Sequence, residues 1–168
     1  MLPVHTRFIK HPSAFVRERR EEAPAPMFRH SFTVRGDLVR ASLSFAALGV
    51  GKIFINGMPV SSAVLTTPFG DYRKTVWYDT FDVTPLLHAG ENLAAAMLGN
   101  GFYNESIKTS WNFDIAEWRD TPKLMFSLEL TYPDRTEYVT GSEDWLTDIG
   151  RSPVRWNELR AGERYDAG

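Results

Sequence analysis

Between Leu98 and Arg119 the chain reads Leu-Gly-Asn-Gly-Phe-Tyr-Asn-Glu-Ser-Ile-Lys-Thr-Ser-Trp-Asn-Phe-Asp-Ile-Ala-Glu-Trp-Arg, aromatics interleaved with amides and carboxylates and no hydrophobic period. Loops of this length inside a compact domain are uncommon and are usually binding loops, lids or interfaces. Four carboxylates, Glu105, Asp114, Glu117 and Asp120, lie in or beside it. Glycoside hydrolysis needs two carboxyls held about 5–10 Å apart across a cleft, a geometry that loop spacing does not fix. Solvated or hydrogen-bonded carboxylates are therefore the favoured reading. Aromatic faces beside Asn, Asp and Glu suit a polyhydroxylated ligand: C–H faces of a sugar lie on rings while its hydroxyls find donors and acceptors. The candidates for sugar binding or domain docking are Asn100, Tyr103, Asn104, Glu105, Trp111 and Asp114. Asn100 and Asn104 serve equally well as turn residues. Trp111 and Trp118 suit either burial beneath the loop or an exposed face, and Trp118, next to a strand, is the better candidate for burial.

Other chemistries find less support. His5, His11, His30 and His88 are scattered, without metal-ligand spacing. No metal is assigned, although calcium held by loop oxygens leaves little trace and stays open. Gly49-Val50-Gly51 lacks the third glycine of a phosphate loop and reads as a tight bend. No Gly-x-Ser-x-Gly elbow occurs. A net charge of −2 gives no field for a nucleic-acid backbone. The absence of cysteine rules out disulfides and thiolate metal sites and is compatible with a reducing compartment. No apolar run approaches a membrane span, and the first residues lack a signal-peptide core, so a soluble, cytoplasmic product without membrane contact is expected.

The elements that must position the loop are strands. Residues 1–27 form a lead-in segment: Arg17 to Glu22 is a charged run suited to a turn or two of solvated helix, and Ala-Pro-Ala-Pro follows. Phe8, Ile9 and Phe15 are its candidates for pinning to the core. From Phe28 the pattern has period two, clearest in Arg40–Ala47, where odd positions are apolar. Lys52–Ile55 leads into Asn56-Gly57, the pair best suited to a type I′ hairpin. Further strands are predicted over Thr75–Val83, Asn92–Leu98, Lys123–Tyr132 and Arg135–Thr140, the last two joined by a turn at Pro133-Asp134. A short helix is predicted over Thr84–Ala89, with Thr84 as N-cap, Pro85 at its first position and Gly90 beyond its end. The fold class is all-β, one antiparallel sandwich or jelly roll over residues 28–168.

Read in order, ASLSFAALGVGKIFINGMPV, DYRKTVWYDTFDVTPLLHAGENLAAAMLGNGFYN, SWNFDIAEWRDTPKLMFSLELTYPDRT and ERYDAG resemble the N-terminal β-sandwich domain of bacterial α-L-rhamnosidases. The most specific pieces are Leu48-Gly49 before the Ile-Asn-Gly hairpin, Asp82-Val83-Thr84, Leu98 to Tyr103, and Tyr165-Asp166-Ala167. The resemblance implies a galactose-binding-like jelly roll ahead of a catalytic (α/α)6 barrel, and the parent enzyme would remove terminal α-L-rhamnose from glycans. The family's acid and base lie on that barrel, so no catalytic residue carries over and the chain by itself is not expected to be an enzyme. Gly168, directly after a run that continues in the family, implies a fragment.

Three readings follow: an accessory, substrate-recognition domain that touches the barrel through its loop; a self-contained rhamnose-binding module; and, least favoured, a hydrolase using loop carboxylates. The partners expected are a rhamnose-containing glycan and the downstream barrel. An accessory domain should also carry an exposed apolar patch around Phe102, Trp111 and Phe113.

Overall fold

The computed structural model describes residues 6–13 and 24–168, so the charged run at 17–22 and Phe15 lie outside the described residues. Two antiparallel sheets enclose one core. The first runs β1 (Phe8–Lys10), β8 (Lys123–Thr131), β3 (Arg40–Leu48), β6 (Asp79–Asp82), with β9 (Thr136–Thr140) also on β8. The second runs β10 (Leu146–Asp148), β2 (Met27–Val34), β7 (Gly90–Gly99), β4 (Val50–Ile55), β5 (Met58–Pro59). A separate hairpin pairs β11 (Val154–Glu158) with β12 (Gly162–Tyr165).

The alternation that predicted β3 also decides which face it buries. Ala41, Leu43 and Phe45 point inward and meet Leu124, Phe126 and Leu128 of β8, while Phe28, Ile55 and Leu98 come from the opposite sheet. Burial of this kind is the main term holding such layers together, at about 25 cal/mol per Å² of apolar surface. Asn56 and Gly57 have φ of 51° and 81°, both positive as a type I′ turn requires. Ile9 packs against the core and Phe8 stays 40% exposed, so β1 is pinned by one of its two apolar side chains.

Two elements differ from expectation. The strand expected over Thr75–Val83 is confined to Asp79–Asp82. The amides of Lys74 and Thr75 still donate to the Asp71 carbonyl in a turn, and beyond Phe45 the edge of β3 is met by Thr67, whose hydroxyl accepts the Ala47 amide at 2.9 Å. The helix expected over Thr84–Ala89 is a single 3₁₀ turn, Thr84–Leu86, with Val83 in the capping position. Thr84 cannot cap because its hydroxyl is engaged elsewhere, accepting from the Ala41 amide at 2.8 Å and donating to Asp82 Oδ1 at 2.6 Å. Asn92 then takes over the chain at His88, donating to its carbonyl at 2.7 Å and accepting from its amide at 3.1 Å. Strands β10, β11 and β12 are not among the expected strands: each has three to five residues, and the alternation in β11 covers only Val154 to Asn157.

Candidate functional site

The long loop leaves β7 where two backbones nearly touch. Gly49 has φ of 117°, and a Cβ there would lie 2.3 Å from the Gly99 carbonyl oxygen; Gly101, at φ 52°, would place its Cβ 2.8 Å from the Gly49 carbonyl carbon. Only glycine tolerates such crowding with positive φ. The bend read at Gly49 therefore fixes where the loop begins.

Just beyond, the polar candidates turn inward. Asn100 is buried; its amide N–H donates to Asn157 Oδ1 at 2.7 Å, its Nδ2 to the Asn157 carbonyl at 2.9 Å, and its Oδ1 accepts from Asn104 Nδ2 at 2.9 Å. Asn104 Oδ1 accepts from Arg119 Nη2 at 3.3 Å. Neither asparagine adopts a left-handed backbone; among the described non-glycine residues Asn56, Thr67 and Asn112 do. Glu105 is 1% exposed and accepts from Arg160 Nη1 at 3.0 Å and 3.4 Å. Glu158, also buried, receives the Ser106 amide on Oε1 at 3.0 Å and the Ser106 hydroxyl on the same oxygen. Burial pushes both glutamates above their ordinary value; Asp114 adds to the shift of Glu105 and Arg160 opposes it, while for Glu158 the two Ser106 bonds oppose. These groups are spent on the fold.

The aromatic candidates behave differently. Phe102, Phe113 and Trp118 meet Phe69 and Tyr72, which arrive from the connection between β5 and β6, with centroid separations of 5.2–6.1 Å. Tyr103 is buried against Tyr72 at 5.1 Å, and burial, then Tyr103, raises the Tyr72 hydroxyl to about 12. The Arg73 guanidinium stands over Trp118 at 5.5 Å. Trp111 stacks on Phe113 at 6.3 Å and remains 66% exposed, with Ile115 at 68% and Phe69 at 47% beside it in the loop pair. Of the apolar patch expected at Phe102, Trp111 and Phe113, only Trp111 is fully presented; the other two are half-buried and support it.

Asp114 is half-buried, its carbonyl accepting from Arg119 Nη1 and its Oδ1 without a hydrogen bond. Glu117 is exposed. Asp120 closes the loop's far end with Lys123 Nζ at 2.8 Å and Lys10 Nζ at 3.1 Å. Burial raises it, but hydrogen bonds from Lys123, the Thr121 amide and Lys10 together hold its carboxyl below the ordinary range. A cleft of about 430 Å³ near the hairpin is lined mostly by apolar residues, with Lys52, Asn157, Glu158 and Glu163, and by none of the four carboxylates singled out in sequence. His30 stacks on Trp145 at 5.3 Å, and His88 Nδ1 lies 3.0 Å from the Ala89 carbonyl. Among the described residues no group of three or more His, Cys, Asp or Glu is placed to hold a metal.

The six candidates thus divide: Asn100, Tyr103 and Glu105 are buried, Asn104 and Asp114 are intermediate, and Trp111 faces outward. Sequence reasoning missed Asn157, Glu158 and Arg160, more than 50 residues away, and Phe69 and Tyr72 in the neighbouring connection. Their one visible signal was an Asn-Glu pair flanked by Trp156 and Leu159, too short to read as periodic.

Comparison with known proteins gives a consistent picture. The family model described as the α-L-rhamnosidase N-terminal domain matches residues 36–168. An α-L-rhamnosidase of Formosa agariphila is 33% identical over 148 residues, 85% of this chain and 15% of that protein. One from Streptomyces avermitilis is 35% identical over 145 residues, 85% of this chain and 14% of that protein. The crystal structure of the Streptomyces avermitilis α-L-rhamnosidase complexed with L-rhamnose superposes with a TM-score of 0.78 at 33% identity, covering 88% of this chain and 14% of that one. Native α-L-rhamnosidase from Aspergillus terreus gives 0.81 at 26% identity, covering 94% and 18%. The chain spans about one-seventh of the length of the curated relatives it matches.

Proposed function

The chain belongs to the α-L-rhamnosidase N-terminal domain family, and from that membership we propose that it is a non-catalytic accessory domain of a rhamnosidase-like glycoside hydrolase. In this reading its long loop rests on the downstream catalytic barrel of the parent enzyme, beside the site that takes a rhamnose-containing glycan. The observation that supports docking over an autonomous sugar site is the division within the loop. The amides and carboxylate that would hold sugar hydroxyls, Asn100, Asn104 and Glu105, are bonded to Asn157, Arg119 and Arg160, whereas Trp111 and Ile115 are two-thirds exposed. An exposed tryptophan seated on packed rings suits a protein surface, where buried aromatic anchors carry most of the affinity.

The test is a titration of this chain into the catalytic region of the parent enzyme expressed as a separate polypeptide. Binding is expected, weakened about 30-fold by Trp111→Ala, the scale of an aromatic hot spot. Binding indifferent to Trp111 would overturn the assignment of the loop as the docking face. Calorimetry of the isolated chain with L-rhamnose should be flat; heat that disappears in Trp111→Ala would instead establish the sugar-binding module. No nitrophenol should be released from an aryl α-L-rhamnoside by this chain alone.

A further inference from the structure

Building on the accessory-domain reading, we propose that the β11–β12 hairpin is a latch on the near end of the docking loop, closed through Glu158 and Glu105 and tightened when this carboxylate pair takes up a proton.

The hairpin belongs to neither sheet, and every residue of β12 is exposed. The Ala25 amide donates to its Val154 carbonyl at 2.9 Å, and its side chains grip the loop. Asn157 takes the Asn100 amide and side chain, Glu158 takes Ser106, and Arg160 reaches Glu105 at 3.0 Å while its guanidinium stands over Phe102 at 5.3 Å. Phe102 in turn touches Phe69 and Phe113, the rings beneath Trp111. The latch therefore bears on the rings that seat Trp111.

Its proton sensitivity follows from how the carboxylates are paired. Both Ser106 donors fall on Glu158 Oε1, while Oε2 is buried and accepts no hydrogen bond. A proton on Oε2 removes a buried charge and leaves both Ser106 bonds in place. The charged groups facing Glu158 are Glu105 and Arg119; those facing Glu105 are Arg160 from the hairpin, and Asp114 and Arg119 from the loop. Two acids thus share two guanidiniums with a third acid, Asp114, and both glutamates are themselves buried, where water screens them less than at the surface. Burial, the largest influence on each, lifts both glutamates above their ordinary 4.5. For an acid so raised, the stabilisation is fully present below the ordinary value and is lost as pH rises through the raised one. Closing the latch takes up protons, and the docking face is held most firmly in mild acid.

The experiment is hydrogen exchange of the full chain, read at residues 100–122 and corrected for intrinsic rates, between about pH 5 and pH 8, where Asp120, held below its ordinary range, stays charged. Protection of the loop should fall several-fold as pH rises, while amides of β3 and β8 hold constant. Glu158→Gln, neutral at every pH and nearly the same shape, should protect the loop at the alkaline end as wild type does at the acidic end, flattening most of the response. Loop protection independent of pH, a Glu158→Gln chain with the wild-type response, or core strands that loosen in parallel would each overturn the latch. No partner enters this measurement, so its outcome is separate from that of the docking titration.

Discussion

At its near end the long loop is fastened by Glu105 and Glu158, buried acids pushed up in pKa, with Asn157 and Arg160 as partners from a hairpin more than 50 residues away. At its far end it is fastened by Asp120, partly open to solvent, pulled down by Lys123, the Thr121 amide and Lys10 despite its burial. The same functional group is used twice, and its setting reverses the sign of its response to protons. At Asp120 the cations and the amide outweigh desolvation; the stabilisation exists above the ordinary aspartate value and disappears as pH falls through the lowered one. At the near end desolvation outweighs the guanidiniums. Ion pairing by itself therefore does not set the pH dependence; the balance between desolvation and the hydrogen bonds and cations gathered on the carboxylate decides. Between the two fastenings lies Trp111, 66% exposed and stacked on Phe113, whose neighbour Phe102 lies under the Arg160 guanidinium.

This contrast can be broken at several points. The largest effect is expected at the backbone crossing of the near end, where Gly49→Ala would force a Cβ to 2.3 Å from the Gly99 carbonyl oxygen at φ 117°. Strain and overlap together should cost at least about 3 kcal/mol in urea unfolding. Arg160→Met leaves Glu105 buried without its cation. A cost of about 2 kcal/mol is expected, below the roughly 3–5 of a fully buried pair because the Arg160 side chain is 37% exposed. At the far end Asp120→Asn should cost only about 1 kcal/mol at neutral pH, and the cost should shrink as pH falls, opposite in sign to the near-end response. Equal losses at Arg160 and Asp120 would erase the distinction between deep and shallow fastening. Trp111→Ala should leave unfolding within about 0.5 kcal/mol of wild type, since the side chain is 66% exposed.

How far the sequence reaches is clearest at particular residues. Odd-numbered apolar positions in Arg40–Ala47 sufficed for a half-buried strand, Asn56-Gly57 for a hairpin, and the ordered motifs from Leu48 to Ala167 for a family resemblance that the comparisons bear out. All three are short-range signals, because side-chain alternation and turn dihedrals depend on adjacent residues. The loop's location was legible for the same reason: it begins at a Gly-Asn-Gly turn and lacks any period.

The fate of its side chains was not. Nothing around Glu105 announces Arg160, and nothing around Asn100 announces Asn157, because those partners arrive through a hairpin that the sandwich must first bring alongside. Phe69 and Tyr72 reach Phe102 and Trp118 only after the β5–β6 connection folds back over the edge of β3. The sequence by itself determined two layers of strands and an aromatic, amide-rich loop. The tertiary structure alone decided that Asn100, Asn104 and Glu105 are bonded within the fold and that, of the loop's rings, Trp111 is the exposed one, since long-range burial assigns each polar group either a partner or a place in solvent.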